Sequence, residues 1–355
     1  MDNFLLVFED ISALNELLLN YEKVHVFFDD KVSQENKQFV LSALSKKCVF
    51  KSYFPNAIAT IGLSDRVRFS GEELVLAVGG LQLQSLAKYY AMSVGVDYAL
   101  VPAFEVAEYS FSQYAFVKDK YFCFYECKKP KFVFVAKRFF DDVSIKKLKS
   151  ALTYKNIVQF EKEFETDILQ NEKSNLDKIV KCVNLCDDKL FSIIKVYGIC
   201  ASLLSKQKTY LFLGNEYVVL SLYAGENLLD DLLLVDSMLF KLYECVIKFS
   251  PIDKQPELNK HVFLLKQDFN VSSLQSSAAV SAFSVEDKRE ISGRLHAYIP
   301  FLKTYFSNSS MRFVPGKFDF SAKKLERALA LSSGLFLRKN LIRYLRDFGY
   351  FENLI

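Results

Sequence analysis

The chain has 355 residues, more than one compact domain usually holds, so two domains are expected. Apolar residues make up 51% and charged residues 25%, a globular balance that excludes a disordered chain. The net charge of +4 comes from 46 basic and 42 acidic residues that are interspersed, which leaves no electrostatic footprint for nucleic acid.

The first half alternates short β-rich runs with helical patterns. VHVFFDD (Val24–Asp30) reads as a strand ending in acids, and Gln34–Lys47 as a helix. CVFKSYF and LVLAVGG (Leu74–Gly80) read as further strands, the second apolar until its glycines. Leu81–Val94 is helical in pattern, DYALVPAF is a strand, and Tyr121–Tyr125 and Lys131–Ala136 complete the set, with Lys128–Lys131 as a hairpin or edge turn. Apolar strands separated by helices imply a parallel sheet covered on both faces. From about Ser144 the periodicity becomes 3.6, with Ile168, Leu176, Ile179, Val180 and Val183 as a candidate buried stripe. The expected layout is an α/β, Rossmann-like domain over 1–145 and an all-α domain over 146–355.

Seven cysteines lie mostly in apolar runs, and their spacings match neither a zinc ribbon nor a redox pair, so buried, reduced thiols are expected. The N-terminal MDNFLLVFEDISALNELLL carries acids where a secretory leader needs a basic region. The other apolar stretches are too short and too charged to span a bilayer. A cytoplasmic protein with no membrane partner is the expectation.

The most informative segment is EELVLAVGGLQLQSLAKYYA (Glu72–Ala91), an apolar strand that runs through Gly79-Gly80 into a helix. Glycine permits a tight turn and close approach of a ligand, and a helix N-terminus offers free N–H groups to a phosphate. A plain strand–helix turn has the same appearance. Asp29 and Asp30, ending an early strand, suit a ribose hydroxyl or equally a cap for the next helix.

The order of segments resembles the superfamily of iron-containing alcohol dehydrogenases, glycerol-1-phosphate dehydrogenases and dehydroquinate synthases. Against that group's GGGSxxDxAK motif, Gly79, Gly80, Ala87 and Lys88 match, whereas Leu81, Gln82 and Ser85 replace the third glycine, the serine and the aspartate. Val101-Pro102 matches a strand ending in Val-Pro-Thr, and VAEYSFSQ stands where the glycerol-1-phosphate branch has a loop resembling SNDGFASP. Gly198, Gly214 and Glu216 match the helix, spacer and G-S-E-H motif, and Arg338, Arg343 and Tyr344 match the terminal helix. The resemblance implies NAD or NADP as cofactor, cradled at Gly79 and Gly80, with Lys88 near the pyrophosphate.

The resemblance also implies a metal held by one Asp and two His, and those ligands are not matched. Tyr217 stands at the G-S-E-H histidine, Tyr154 and Asn156 near the expected Asp, and Asp230 near the second His. A neutral phenol is a poor ligand. The three histidines, His25, His261 and His296, have no partners at metal-site spacing and read as surface or satisfied core residues. Metal is therefore not expected. Neighbouring carboxylates such as Asp230-Asp231 point about 100° apart on a helix and read as solvated faces.

Glu216 and Tyr217 are candidate catalytic residues, a metal-free acid pair, with a plain helix N-terminus as the other reading. The segment YFCFYECKKPKFVFVAKRFF interleaves aromatic and basic residues, as single-strand nucleic-acid surfaces do, yet alternation in short strands reads more simply as sheet core. Two functions follow from the resemblance. One is a degenerate NAD(P)-dependent oxidoreductase acting on a phosphorylated keto compound. The other is a non-catalytic pseudoenzyme that binds a nucleotide, a protein partner or a second copy of itself.

Overall fold

The computed structural model describes residues 5–8, 11–55, 59–104, 106, 108–119, 122–153, 177–179, 181–187 and 189–205. The strands are β1 (Leu5–Phe8), β2 (Lys23–Asp29), β3 (Cys48–Phe54), β4 (Leu74–Gly79), β5 (Asp97–Pro102), β6 (Tyr114–Lys118), β7 (Phe122–Glu126) and β8 (Phe132–Val135). The helices are α1 (Ile11–Leu18), α2 (Gln34–Ala43), α3 (Ile61–Asp65), α4 (Leu81–Val94), α5 (Glu108–Phe111), α6 (Asp142–Thr153) and α7 (Leu190–Ser205).

Six strands form one sheet in the order β1-β8-β5-β4-β2-β3, with every pairing parallel. All of β4 and β8 is buried, as is β2 after its first residue, which means that both faces of the sheet are covered. β3, at one edge, is mostly half-buried or exposed. This is the Rossmann-like α/β sheet that the alternating pattern predicts.

Two expectations change. The Tyr121–Tyr125 run does not join the parallel sheet but forms β7, antiparallel to β6 in a separate ribbon. Only residues 119–121 separate β6 from β7, and a parallel crossover needs a dozen or more residues. Lys128–Lys131 is accordingly no hairpin; it carries the chain from that ribbon into β8, where the Lys131 N–H donates to the Tyr98 carbonyl at 2.8 Å. The helix expected to Lys47 ends at Ala43, and the Leu44 N–H turns back to the Leu41 carbonyl. Among the cysteines, Cys127 and Cys200 are buried, Cys182 and Cys186 half-buried, and Cys48 exposed because it opens an edge strand.

The chain divides into two compact units. The first comprises Met1–Lys149, Cys186–Tyr210 and Glu226–Leu228, and the second Ser150–Leu185, Leu211–Gly225 and Leu229–Ile355. α7 therefore belongs with the α/β part. Its buried face includes Ile193, Ile194, Tyr197 and Cys200, and the Tyr197 hydroxyl donates to the Leu148 carbonyl of α6 at 3.2 Å. In the second unit Ile179 and Val183 of the expected stripe are buried; Ile168, Leu176 and Val180 lie outside the described residues. No helix among the described residues is long and apolar enough to cross a membrane.

Candidate nucleotide site

In an open parallel sheet, ligands bind beyond the carboxyl ends of the strands where the strand order reverses. Here the chain places β3 on one side of β2 and then β4 on the other, so that point lies between the ends of β2 and β4. The residues there are Asp29, which ends β2, and Gly79-Gly80, which leads from β4 into α4. The structure thus brings together three of the residues singled out from the sequence.

Their geometry is closed. The Asp29 carboxylate is only 3% exposed and accepts from the Lys31 N–H at 3.0 Å and the Gly80 N–H at 3.5 Å. A Cβ on Gly79 would lie 2.5 Å from the Asp29 Cβ and 2.8 Å from a Leu83 methyl. Gly79 is glycine because Asp29 and Leu83 pack against it. Burial raises the Asp29 pKa above the ordinary carboxylate value, and the two backbone donors act against that rise. The Asp29 carboxylate faces the β4–α4 turn, and the capping role anticipated for it falls to Ser33, whose hydroxyl accepts from the Asn36 N–H at 3.3 Å.

The first turn of α4 is equally enclosed. Gly80, the N-cap, has no side chain to bond the helix, and Leu81 is fully buried in the position of the missing third glycine. The Gln82 side chain accepts from the Ala59 N–H at 2.9 Å. The Gln84 amide donates to the Gly79 carbonyl at 3.1 Å. Its Oε1 is buried and has no hydrogen-bond donor, the one such side-chain atom among the described residues. A pyrophosphate at this turn would share the Gly80 N–H with the Asp29 carboxylate, and two anions compete for one donor.

Lys88 is not at this turn. It lies seven residues into α4, about 10 Å from the helix start. Its amine is wholly buried and donates to the Ser112 carbonyl at 3.0 Å and to the Ser112 hydroxyl at 3.4 Å. Burial pushes the Lys88 pKa down to about 7. One turn earlier the Ser85 hydroxyl bonds the Phe116 carbonyl and accepts from the Phe116 N–H at 2.8 Å. Ser85 and Lys88 therefore fasten the segment from α5 into β6, a role that their place in the motif does not announce.

Of the remaining expected site residues, Tyr154, Asn156, Glu216, Tyr217, Asp230, His261 and His296 lie outside the described residues. His25 is a satisfied core histidine with both ring nitrogens hydrogen-bonded. Among the described residues no three His, Cys, Asp or Glu side chains gather as metal ligands would.

No protein-family model matches this chain, and no curated protein matches it. Solved structures do. The iron-containing alcohol dehydrogenase of Thermotoga maritima covers 98% of this chain and 97% of its own, with a TM-score of 0.56 at 11% identity. That of Thermococcus thioreducens gives a TM-score of 0.58 at 12% identity, over 98% of this chain and 96% of its own. The chain has the iron-containing alcohol dehydrogenase fold. A probable glycerol dehydrogenase from Sinorhizobium meliloti shares it, with a TM-score of 0.57 at 9% identity over 98% and 95% of the two chains. In all three the likeness runs the length of the chain, which carries the two-domain layout that the resemblance implies.

Proposed function

We propose that this chain is a degenerate glycerol-1-phosphate dehydrogenase-like protein, a pseudoenzyme that has kept the oxidoreductase fold and serves as an interaction scaffold for a protein partner or a second copy of itself. The observation that carries this reading is the Asp29 carboxylate on the Gly80 N–H. It stands at the turn where the resemblance puts a cofactor phosphate, and an ionised carboxylate there repels one. The replacement of the metal ligands by residues such as Tyr217 supports the same reading.

A second reading rests on Gln84. Its unpartnered, buried Oε1 beside Gly79 would be satisfied by a ligand hydroxyl. In that reading the chain binds NAD or NADP and reduces a phosphorylated keto compound, with Glu216 and Tyr217 as the acid pair. Titration of chelator-treated protein with NADH and NADPH, followed by nucleotide fluorescence, separates the two. The scaffold reading expects no saturable binding below the millimolar range. Micromolar binding overturns it and makes dihydroxyacetone phosphate the first substrate to test.

A further inference from the structure

A second polar cluster lies on β2 four residues before Asp29, about 13 Å toward the amino end. His25 Nε2 is 2.8 Å from the Ser52 hydroxyl, and His25 Nδ1 is 3.3 Å from Glu72 Oε1. The Tyr90 hydroxyl donates to the same Glu72 oxygen at 2.5 Å, and the Ser70 N–H donates to the other at 2.8 Å. His25, Glu72 and Tyr90 are buried, whereas Ser52 is half-buried on the edge strand β3. We propose that Ser52, His25 and Glu72 form a nucleophile site, Ser52 being the attacking group, that accepts an acyl or phosphonyl group from a small activated ester.

Each member has the place its role needs. A nucleophile must lie within hydrogen-bond reach of a base, and the base must be oriented by a third group. With Glu72 ionised, Nδ1 carries the proton and donates to it, which leaves Nε2 as the acceptor for the Ser52 O–H. Burial, opposed by the hydrogen bond to Glu72, holds the His25 pKa below its ordinary value, so the ring is a neutral base near pH 7. The Phe27 ring stands edge-on to the imidazole with centroids 4.9 Å apart, and the ring of Tyr90 is 6.2 Å away. These contacts fix its plane.

A donor for a developing oxyanion comes from the strand itself. The Cys48 N–H donates to the Glu22 carbonyl and the Phe54 carbonyl accepts from the Asp30 N–H, so the even-numbered residues of β3 bond toward β2. The backbone N–H groups of Lys51 and Tyr53, on either side of Ser52, accordingly face the open edge, where no other described strand pairs; they lie about 6.6 Å apart along the strand, so one of them at a time serves as the donor. In the reaction the Ser52 oxygen bonds to the carbonyl carbon of the ester while its proton passes to Nε2. The ester C–O bond then breaks, and the departing alcohol takes that proton. Water attacks the acyl-serine in the same way, releases the carboxylic acid and restores the Ser52 hydroxyl.

The test is to incubate the full chain with a fluorophosphonate and map adducts by mass spectrometry. Phosphonylation releases fluoride from phosphorus and needs no turnover. The expected result is one adduct on Ser52, absent in Ser52→Ala and slowed on the order of 100-fold in His25→Gln. In the native chain, with no substitution at all, the labelling rate should rise with pH to a plateau. Its midpoint should lie below the ordinary imidazole value of about 6.5. An unlabelled Ser52, a rate indifferent to pH between 5 and 8 (roughly the span over which an imidazole titrates), or a folded His25→Gln variant labelled at the native rate overturns the proposal. The cluster is separate from the Asp29–Gly80 turn, so this result stands whatever the nucleotide titration gives.

Discussion

At the carboxyl end of β2, Asp29 bonds to two backbone N–H groups, whereas four residues upstream His25 bonds to side chains alone. Helix α4 spans both regions, with Gly80 at the first and Tyr90 at the second. In the first region the partners are set by the path of the chain, and a fault there is one of packing. In the second, a proton moved onto or off a side chain changes which bonds exist. Above the range in which Asp29 titrates, stability in the two regions should therefore respond to different variables, steric in the first and pH in the second.

The largest effect should come from Lys88, between the two regions and also titratable. Its folded pKa of about 7 lies below the ordinary 10.5. Between those values the unfolded chain binds a proton that the folded chain does not, so stability rises with pH across that window, by up to about 1.4 kcal/mol per pH unit. It is lost as pH falls toward 7. Urea unfolding between pH 6 and 10 should show this slope in the native protein and a flatter one in Lys88→Met. The variant should be the more stable of the two at pH 6. Equal slopes would mean that the amine stays charged when folded.

Next in size is Gly79→Ala, which probes the first region. The added Cβ meets the Asp29 Cβ at 2.5 Å, and overpacking of this kind costs about 1–3 kcal/mol. The loss should be the same at pH 6 and pH 8, and Asp29→Gly in the same chain should recover part of it because the two sites couple. A loss that varies with pH would break the contrast between the regions.

How far the sequence discloses these features depends on whether they are local. The Leu81–Val94 helix and the CVFKSYF strand appear with the bounds read from periodicity. β7 leaves the expected sheet because its pairing depends on β6, a Tyr114–Lys118 run that the alternating pattern does not mark as a strand. The Gly79-Gly80 turn is legible because strand, glycines and helix are contiguous. The closure of that turn by Asp29, fifty residues earlier, is a tertiary event. Ser52, His25, Glu72 and Tyr90 have no common spacing at all; the parallel register of β2 with β3 and β4 and the packing of α4 on the sheet gather them. Lys88 is visible as a motif residue, but its partner Ser112 lies in a segment whose likeness to the family loop is slight.

The smallest effect should be the acid limb, and it is the one that isolates the second region. His25 is held below its ordinary pKa by burial, against its bond to Glu72. For Glu72, burial acts upward, but the bonds from Tyr90, the Ser70 N–H and His25 prevail and hold it below the usual value. Both shifts have the same sign: the folded chain resists a proton that the unfolded chain accepts. Each contribution is therefore complete above the unfolded pKa and is lost as pH falls through the folded one, His25 first below about 6.5 and Glu72 in the carboxylate range. Unfolding midpoints from pH 7 down to 4 should fall in these two stages in the native chain. In His25→Gln the first should vanish while the second remains, because Tyr90 and the Ser70 N–H still hold Glu72. If the first stage survives that substitution, the acid sensitivity belongs to another group and the cluster is a passive part of the core.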